Sequence, residues 1–386
     1  MLRKVRASTS SLPAPRPRNH PHEPRRPFAE CIRIAIIIPL AVFLVLFCGR
    51  IFLIRIFTIM SNWRQDSKVF DFPESFTRNY ERMERELKVY IYRDRDPGAY
   101  FQSPRELKGL YGSEAYFFKN IKESRFLTTD PLQAHLFFIP ISWHQMRTQG
   151  TRYENMTVIV EKYVERLISK YPYWNRTQGA DHFFVICHDN GVEVAEGVPL
   201  LKENSIRLVC PASYDSHYIP DNDIALPQLK QSFSCCSPNG GNALRQPLWN
   251  VYGRMNLNVC GMILLKGINL LLDNKSYRTK FCICPQGFPY YTALIADSIR
   301  YECVPVIFSS YTDFPFNDIL HWNKFSIVLD EKDIYKVKHI LDGIRDADFS
   351  ILQNNLLKVQ KHFEWNSPPL RFDAFHMVMY GLWLRL

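Results

Sequence analysis

Short apolar runs that alternate with helix-like segments constrain this chain more than any other feature. LKVYIY (87–92), LFFIPIS (136–142), DHFFVICHD (181–189) and SIRLVC (205–210) are each brief and apolar, with polar or turn-forming residues around them. Continuous apolar runs of this length suit strands buried on both faces. Between them, YGSEAYFFKNIKES (111–124) and VIVEKYVERLISKY (158–171) place apolar residues at helical spacing. The alternation returns after residue 275. TKFCICP (279–285) reads as a strand, TALIADSIRY (292–301) as a helix, and CVPVIFSS (303–310) and FSIVLD (325–330) as strands. EKDIYKVKHILDGI and the terminal FDAFHMVMYGLWLRL read as helices. Such alternation predicts βαβ units and parallel sheets. Two α/β halves with a boundary near 225–245 are expected, and a cleft between two such halves is a natural ligand site.

The N-terminal region follows different rules. Residues 1–60 contain ten Arg or Lys and two acids, which accounts for +8 of the net charge of +10. The basicity therefore belongs to a tail, and the remaining chain gives no electrostatic signal for nucleic acid. Ile34–Gly49 is uncharged, and an apolar run resumes at Ile51–Ile54. Arg33 and Arg50 can snorkel from its ends. A cleaved signal peptide fits less well, because 33 residues precede the run and no small-x-small site follows. Eight basic residues before the run place the N-terminus in the cytosol by the positive-inside rule. The expectation is a single-pass type II membrane protein: a cytosolic basic, Pro-rich tail (1–33), an anchor (34–54) and a polar stem (55–86). The rest lies in a lumen, where Asn155, Asn175 and Asn274 head glycosylation sequons. Eight cysteines past residue 60 can pair there, though sequence alone does not give the pairing.

Several groups could carry chemistry. Strand 279–285, a loop containing Gly287 and the helix from Thr292 make an arrangement suited to an anion, because free N–H groups and the helix dipole point the same way. An ordinary strand-to-helix turn has the same pattern. Asp297 either accepts hydrogen bonds from a ribose or is a solvated helix acid. His182, His188 and Asp189 sit at the ends of DHFFVICHD, and strand ends are where α/β sheets place functional groups. One of them could deprotonate a sugar hydroxyl, or they could simply cap loops. Tyr173 and Trp174 offer either a sugar-stacking platform or core packing. Asp94-Arg-Asp96, Asp221-Asn-Asp223 and Asp346-Ala-Asp348 all fit an Asp-x-Asp metal pattern, and three unrelated hits show how cheaply it arises. No P-loop, HExxH or GxSxG motif occurs.

Taken in order, LKVYIY, DPLQAHLFFIPIS, YPYWNRTQGADHFFVICHD, DIALPQ, FCICPQG, IADSIRYECVPVIFSS, FPFNDILHW and WNSPPLRFDAFHMVMYGLWLR resemble the plant exostosin-like glycosyltransferases of family 47. The likeness covers about 87–234 and 275–386. It implies two Rossmann-like domains facing a cleft (GT-B type) behind a single transmembrane helix. Residues 87–234 would form the acceptor domain and 275–386 the nucleotide-sugar donor domain. The implied activity is inverting, metal-independent transfer from a nucleotide-sugar, UDP-linked and with no other cofactor, to a wall polysaccharide or glycoprotein glycan in the Golgi. Other Golgi transferases could be partners. By resemblance, Gly287 falls at the donor-phosphate loop and Asp297 at the acid that follows it.

This sequence departs from the family in three places. Leu294 stands where relatives often have arginine, and Glu302 where they often have glycine; the first removes a cation, the second adds an anion near the same helix. Residues 235–274 do not resemble the basic loop that holds the donor diphosphate in the family. Tyr252–Asn256, read one base earlier with suitable codons, gives Trp-Glu-Asn-Glu, which is what a frame-shifted exon would produce. Arg245 and Arg254 are the arginines left there, and Arg254 is assigned to phosphate. Leu294 and the absence of a recognisable family loop in 235–274 support the alternative of a non-catalytic relative that binds a Golgi partner or a glycan.

Overall fold

The computed structural model describes residues 69–93, 107, 109, 111–148, 150–188, 191–210, 217–229, 280–284, 291–308 and 313–386. They belong to one compact unit, Arg64–Leu386. The apolar run 34–54 and the 235–274 stretch lie outside the described residues, among which no helix is long and apolar enough to cross a membrane.

Helix α1 (Pro73–Glu86) corrects the sequence reading, which placed it in a polar stem. Proline at its first turn suits a helix start. Phe76, Tyr80 and Met83 recur at i, i+4 and i+7 and are buried. The Phe76 ring stacks on Phe70 at 4.3 Å, and Tyr80 stacks on Phe372 at 4.3 Å. The numerous charges around these three aromatic and thioether side chains hide the apolar stripe in the sequence.

The first sheet follows. Its elements are β1 (Val89–Ile91), α2 (Gly112–Glu123), β2 (Leu127–Thr128), β3 (Leu136–Phe138), α3 (Trp143–Thr148), α4 (Tyr153–Lys170), β4 (His182–Ile186), α5 (Gly191–Glu196), α6 (Pro199–Asn204), β5 (Ile206–Val209) and β6 (Ile224–Ala225). Its strands run in the order β2-β1-β3-β4-β5-β6, and every pairing is parallel. The four expected strands are all present. The two-residue strands β2 and β6 are too short for periodicity to reveal. The order reverses between β1 and β3, which makes a topological switch point there. Phe137, Phe184 and Ile186 share one apolar core with Val160, Tyr163, Val164 and Leu167 of α4.

The second sheet is β7 (Phe281–Cys284), β8 (Val304–Phe308) and β9 (Ile327–Leu329), again parallel, with α7 (Tyr291–Arg300) crossing from β7 to β8. Of the expected helix 331–344, only α8 (Val337–Asp342) is α-helical, preceded by a 3-10 turn at Glu331–Asp333. Helix α9 (Asp346–Val359) is additional to the sequence reading. Helix α10 (Ala374–Leu384) starts where Asp373 accepts a hydrogen bond from the His376 N–H at 3.1 Å. It packs against α1, α2 and β6, so the chain end returns to the first sheet. Arg385 then donates to the carbonyls of Pro220, Asn222 and Asp223 at 3.0, 3.0 and 2.6 Å.

Disulfides join neighbouring strands in both sheets: Cys187–Cys210 just past β4 and β5, and Cys282–Cys303 between β7 and the residue before β8. Cys284 is buried and unpaired, and burial pushes its thiol up to about 12.

Candidate active site

The described residues converge where the carboxyl ends of β4 and β5 meet the N-terminus of α7. Thr292, in the first turn of α7, is buried. Its hydroxyl donates to Gln228 Oε1 at 2.5 Å and lies 3.3 Å from the Cys210 carbonyl oxygen. Both partners belong to the first sheet's side, so one helix N-terminus of the second sheet faces the strand ends of the first. That end of a helix carries unsatisfied N–H groups and partial positive charge.

His188 lies two residues past β4, close to the end of the Cys187–Cys210 bridge. It is 9% exposed, and its ring stacks on Tyr111 at 5.0 Å with 12° between the planes. Tyr111 heads α2, whose first turn supplies two further groups. The Ser113 hydroxyl donates to the Pro227 carbonyl at 2.8 Å and accepts the Leu229 N–H at 3.1 Å. Glu114 is 2% exposed and accepts the Cys187 N–H at 3.2 Å. Burial, only partly offset by that N–H, pushes its carboxyl up to about 8. Trp365 donates to the Pro227 carbonyl at 2.8 Å, which ties the segment before α10 to the same loop.

Asp297 is 5% exposed on α7, so it is not a solvated helix acid. Its charge acts on the Cys284 thiol at the end of β7. Gly287, Asp189, Arg254 and Asn274 lie outside the described residues.

The structure separates His182 from His188. They lie at opposite ends of β4, about 20 Å apart at the rise of an extended strand. His182 is fully enclosed and both its ring nitrogens are engaged: Nδ1 with Asp181 at 2.7 Å and Nε2 with the Tyr92 hydroxyl at 2.7 Å. Burial holds its pKa below the usual histidine value, against the pull of Asp181. Burial also works to raise Asp181, but His182, Thr177 and Arg176 outweigh it and keep that carboxyl low. This relay anchors the amino end of β4, away from the strand ends that meet α7.

Tyr173 and Trp174 belong to the same amino end. Trp174 is 5% exposed and lies 4.7 Å from the His182 ring; Tyr173 stacks on Phe137 at 5.1 Å. Gly179, with φ of +95°, brings its backbone under the Trp174 indole so closely that a Cβ would lie 2.5 Å from the ring. Of the two sequence readings, core packing describes both residues.

Among the Asp-x-Asp pairs, Asp223 is buried against Arg207 at 2.7 Å, and Asp346 and Asp348 pair with Lys280 and Arg345. Asp94 and Asp96 lie outside the described residues. Among those described, no three acidic, His or Cys side chains group as a metal site would require. Asn155 and Asn175 are exposed, and Asn155 lines a groove of about 500 Å³ with Gly150, Thr151, Arg152, Val158 and Ile159.

Comparison with known proteins places this sequence in a family. The profile for the Exostosin GT47 domain matches residues 83–247 and 269–344. The chain belongs to the exostosin GT47 family. It is 32% identical over 333 residues to Probable glycosyltransferase At5g03795 of Arabidopsis thaliana, covering 80% of this chain and 64% of that one. It is 31% identical to Probable glycosyltransferase At5g25310 of the same plant, over 85% of this chain and 73% of the relative. It is 26% identical to the Arabidopsis Probable beta-1,4-xylosyltransferase IRX10L, over 77% and 81%. The gap in the family match, 248–268, is narrower than the stretch 235–274 that the sequence sets apart: residues 235–247 and 269–274 match the family.

Proposed function

We propose that this chain is a type II Golgi membrane glycosyltransferase of GT-B architecture. It transfers a sugar from a UDP-linked donor to a plant cell-wall glycan, with inversion and without a metal. The observation that carries the reading is the Thr292 junction, where a helix N-terminus meets the carboxyl ends of a parallel sheet. A leaving diphosphate needs such a positive, water-poor surface, and an acceptor needs groups at the facing strand ends. Thr292 and Asp297 belong to the donor side, with Gly287 and Arg254 assigned there from sequence. His188 is the described residue on the acceptor side whose imidazole can take a hydroxyl proton, with Asp189 beside it in sequence.

Relatives named as glucuronoxylan glucuronosyltransferase and beta-1,4-xylosyltransferase suggest the first substrates to try. Full-length protein in detergent would be given UDP-glucuronic acid and UDP-xylose with xylo-oligosaccharides, and transfer read by mass spectrometry. Broader donor and acceptor panels follow. The proposal predicts transfer with at least one pair and a thermal shift with UDP. Absence of both across the panels sinks it. Binding without transfer favours the second reading, a non-catalytic Golgi partner, which the 248–268 gap and Leu294 support. Asn155 and Asn175 are proposed to carry glycans, and loss of mass on peptide N-glycosidase treatment checks this.

A further inference from the structure

We propose that Glu114 is a positioning residue that fixes His188 relative to the Thr292 junction, by holding the end of β4 from the first turn of α2. The inference rests on the reading of His188 as an acceptor-side residue.

Three observations carry it. First, Glu114 shares the apolar face of α2 with Phe117, Phe118 and Ile121, at i+3, i+4 and i+7, and all four are buried. A carboxyl on such a face is costly, and no ion-pair partner is found for it among the described residues. Second, its acceptor oxygen takes the N–H of Cys187, one residue past the last strand residue of β4 and one before His188. Third, Tyr111, three residues earlier on the same helix start, lies flat on the His188 ring. One turn of α2 therefore grips residue 187 by its backbone and residue 188 by its ring.

This grip continues to the second sheet. Cys187 is bonded to Cys210, and the Cys210 carbonyl lies 3.3 Å from the Thr292 hydroxyl. Burial pushes Glu114 to about 8, so at neutral pH it is protonated and accepts the Cys187 N–H through its carbonyl oxygen. A glutamine amide offers the same acceptor at the same reach, whereas aspartate is one methylene short.

The test uses Glu114→Gln and Glu114→Asp in the full-length protein, with thermal unfolding to verify folding. Tyr111→Leu, which removes the stacking half of the grip, is the second variant if Glu114→Asp does not fold. One readout needs no substrate: the rate of His188 modification by diethyl pyrocarbonate, followed by peptide mass. The proposal predicts parent-like rates in Glu114→Gln and a rise of roughly tenfold in Glu114→Asp. The other readout is kinetic, with the donor and acceptor pair that turns over. Glu114→Asp is expected to lower kcat by up to roughly 100-fold, the scale of a 1 Å misplacement. Donor KM should stay within about threefold, and Glu114→Gln should restore kcat. In a His188→Gln background the aspartate variant should add less than about threefold. Unchanged His188 reactivity in Glu114→Asp, or additive losses with His188→Gln, overturns the proposal alone. A fully active His188→Gln overturns the acceptor-side reading and the proposal with it.

Discussion

Glu302 occupies a backbone position that the structure reserves for glycine, and replacing it should stabilise the protein. Two hydrogen bonds close the C-terminus of α7: Cys303 N–H to the Ser298 carbonyl at 2.9 Å and Glu302 N–H to the Ile299 carbonyl at 3.2 Å. This 6→1 and 5→2 pair is a Schellman motif with Glu302 at C′, and its φ is +61°. The left-handed conformation costs an L-residue roughly 1–2 kcal/mol. Glycine escapes that cost but loses roughly 0.5–1 kcal/mol more chain entropy on folding. Glu302 also puts an anion at the negative end of a helix dipole, at a cost of about 0.3 kcal/mol for an exposed group. The balance for Glu302→Gly is a gain of about 1 kcal/mol. Glu302→Gln removes only the dipole clash and should gain about 0.3 kcal/mol, and Glu302→Ala should do no better, because it retains Cβ. Urea unfolding of the three variants at one pH checks the series. If glycine destabilises, or alanine gains as much as glycine, the backbone argument is wrong.

Two buried groups should give the stability opposite pH slopes. Glu114, raised to about 8 by burial, contributes fully below its unfolded value near 4.5 and loses that contribution as pH rises to about 8; His362, lowered to about 3 chiefly by burial, contributes fully above about 6.5 and loses as pH falls. Each span corresponds to roughly 5 kcal/mol, so Glu114→Gln should flatten the alkaline side and His362→Asn the acid side in urea titrations from pH 4 to 8, and parent-like slopes in both would refute the assignment. Arg207→Met leaves the fully buried Asp223 without its guanidinium and should cost about 3–5 kcal/mol, with Asp223→Asn in the same chain recovering part of it in a double-mutant cycle. Removing the Cys282–Cys303 bridge, which spans 21 residues, should cost about 3 kcal/mol by chain entropy, measured as the denaturant midpoint of the double serine variant. Sequencing the transcript across 230–280 tests the frame-shift reading: an uninterrupted message that encodes Tyr252–Asn256 as written ends it.

The longer strands of both sheets were legible because a parallel sheet buries both faces, leaving unbroken apolar runs such as Phe183–Ile186 and Val304–Phe308, whereas β2 and β6 are too short to leave one. Helix α1 was not, because three buried side chains among many charges leave its composition polar. Glu114 was legible in principle. Its spacing to Phe117, Phe118 and Ile121 puts it on the inward face, yet an acid in the first turn also suits the helix dipole, and that reading hides its burial. His182 and His188 looked like one cluster because sequence lists them on one strand; only the strand's extension shows that they lie at opposite ends. The pairing of Thr292 with Gln228 spans 64 residues and leaves no local pattern at all.

The same geometry ranks the departures from the family. Glu302 lies at the far end of α7 from Thr292, about 15 Å away at the rise of a helix, and is exposed. Its charge is therefore too remote and too well solvated to oppose a diphosphate at the helix N-terminus, and its cost falls on the fold. Leu294 differs in kind. It is half-buried in the first turn and a half of the same helix, two residues past Thr292, where an arginine would sit beside the positive helix end. If a diphosphate binds there, the helix dipole and the loop before it must supply the charge that the missing arginine does not. The case for a weakened or lost activity thus narrows to Leu294 and residues 248–268. Restoring a cation with Leu294→Arg is the direct way to tell a tuned enzyme from an inherited fold.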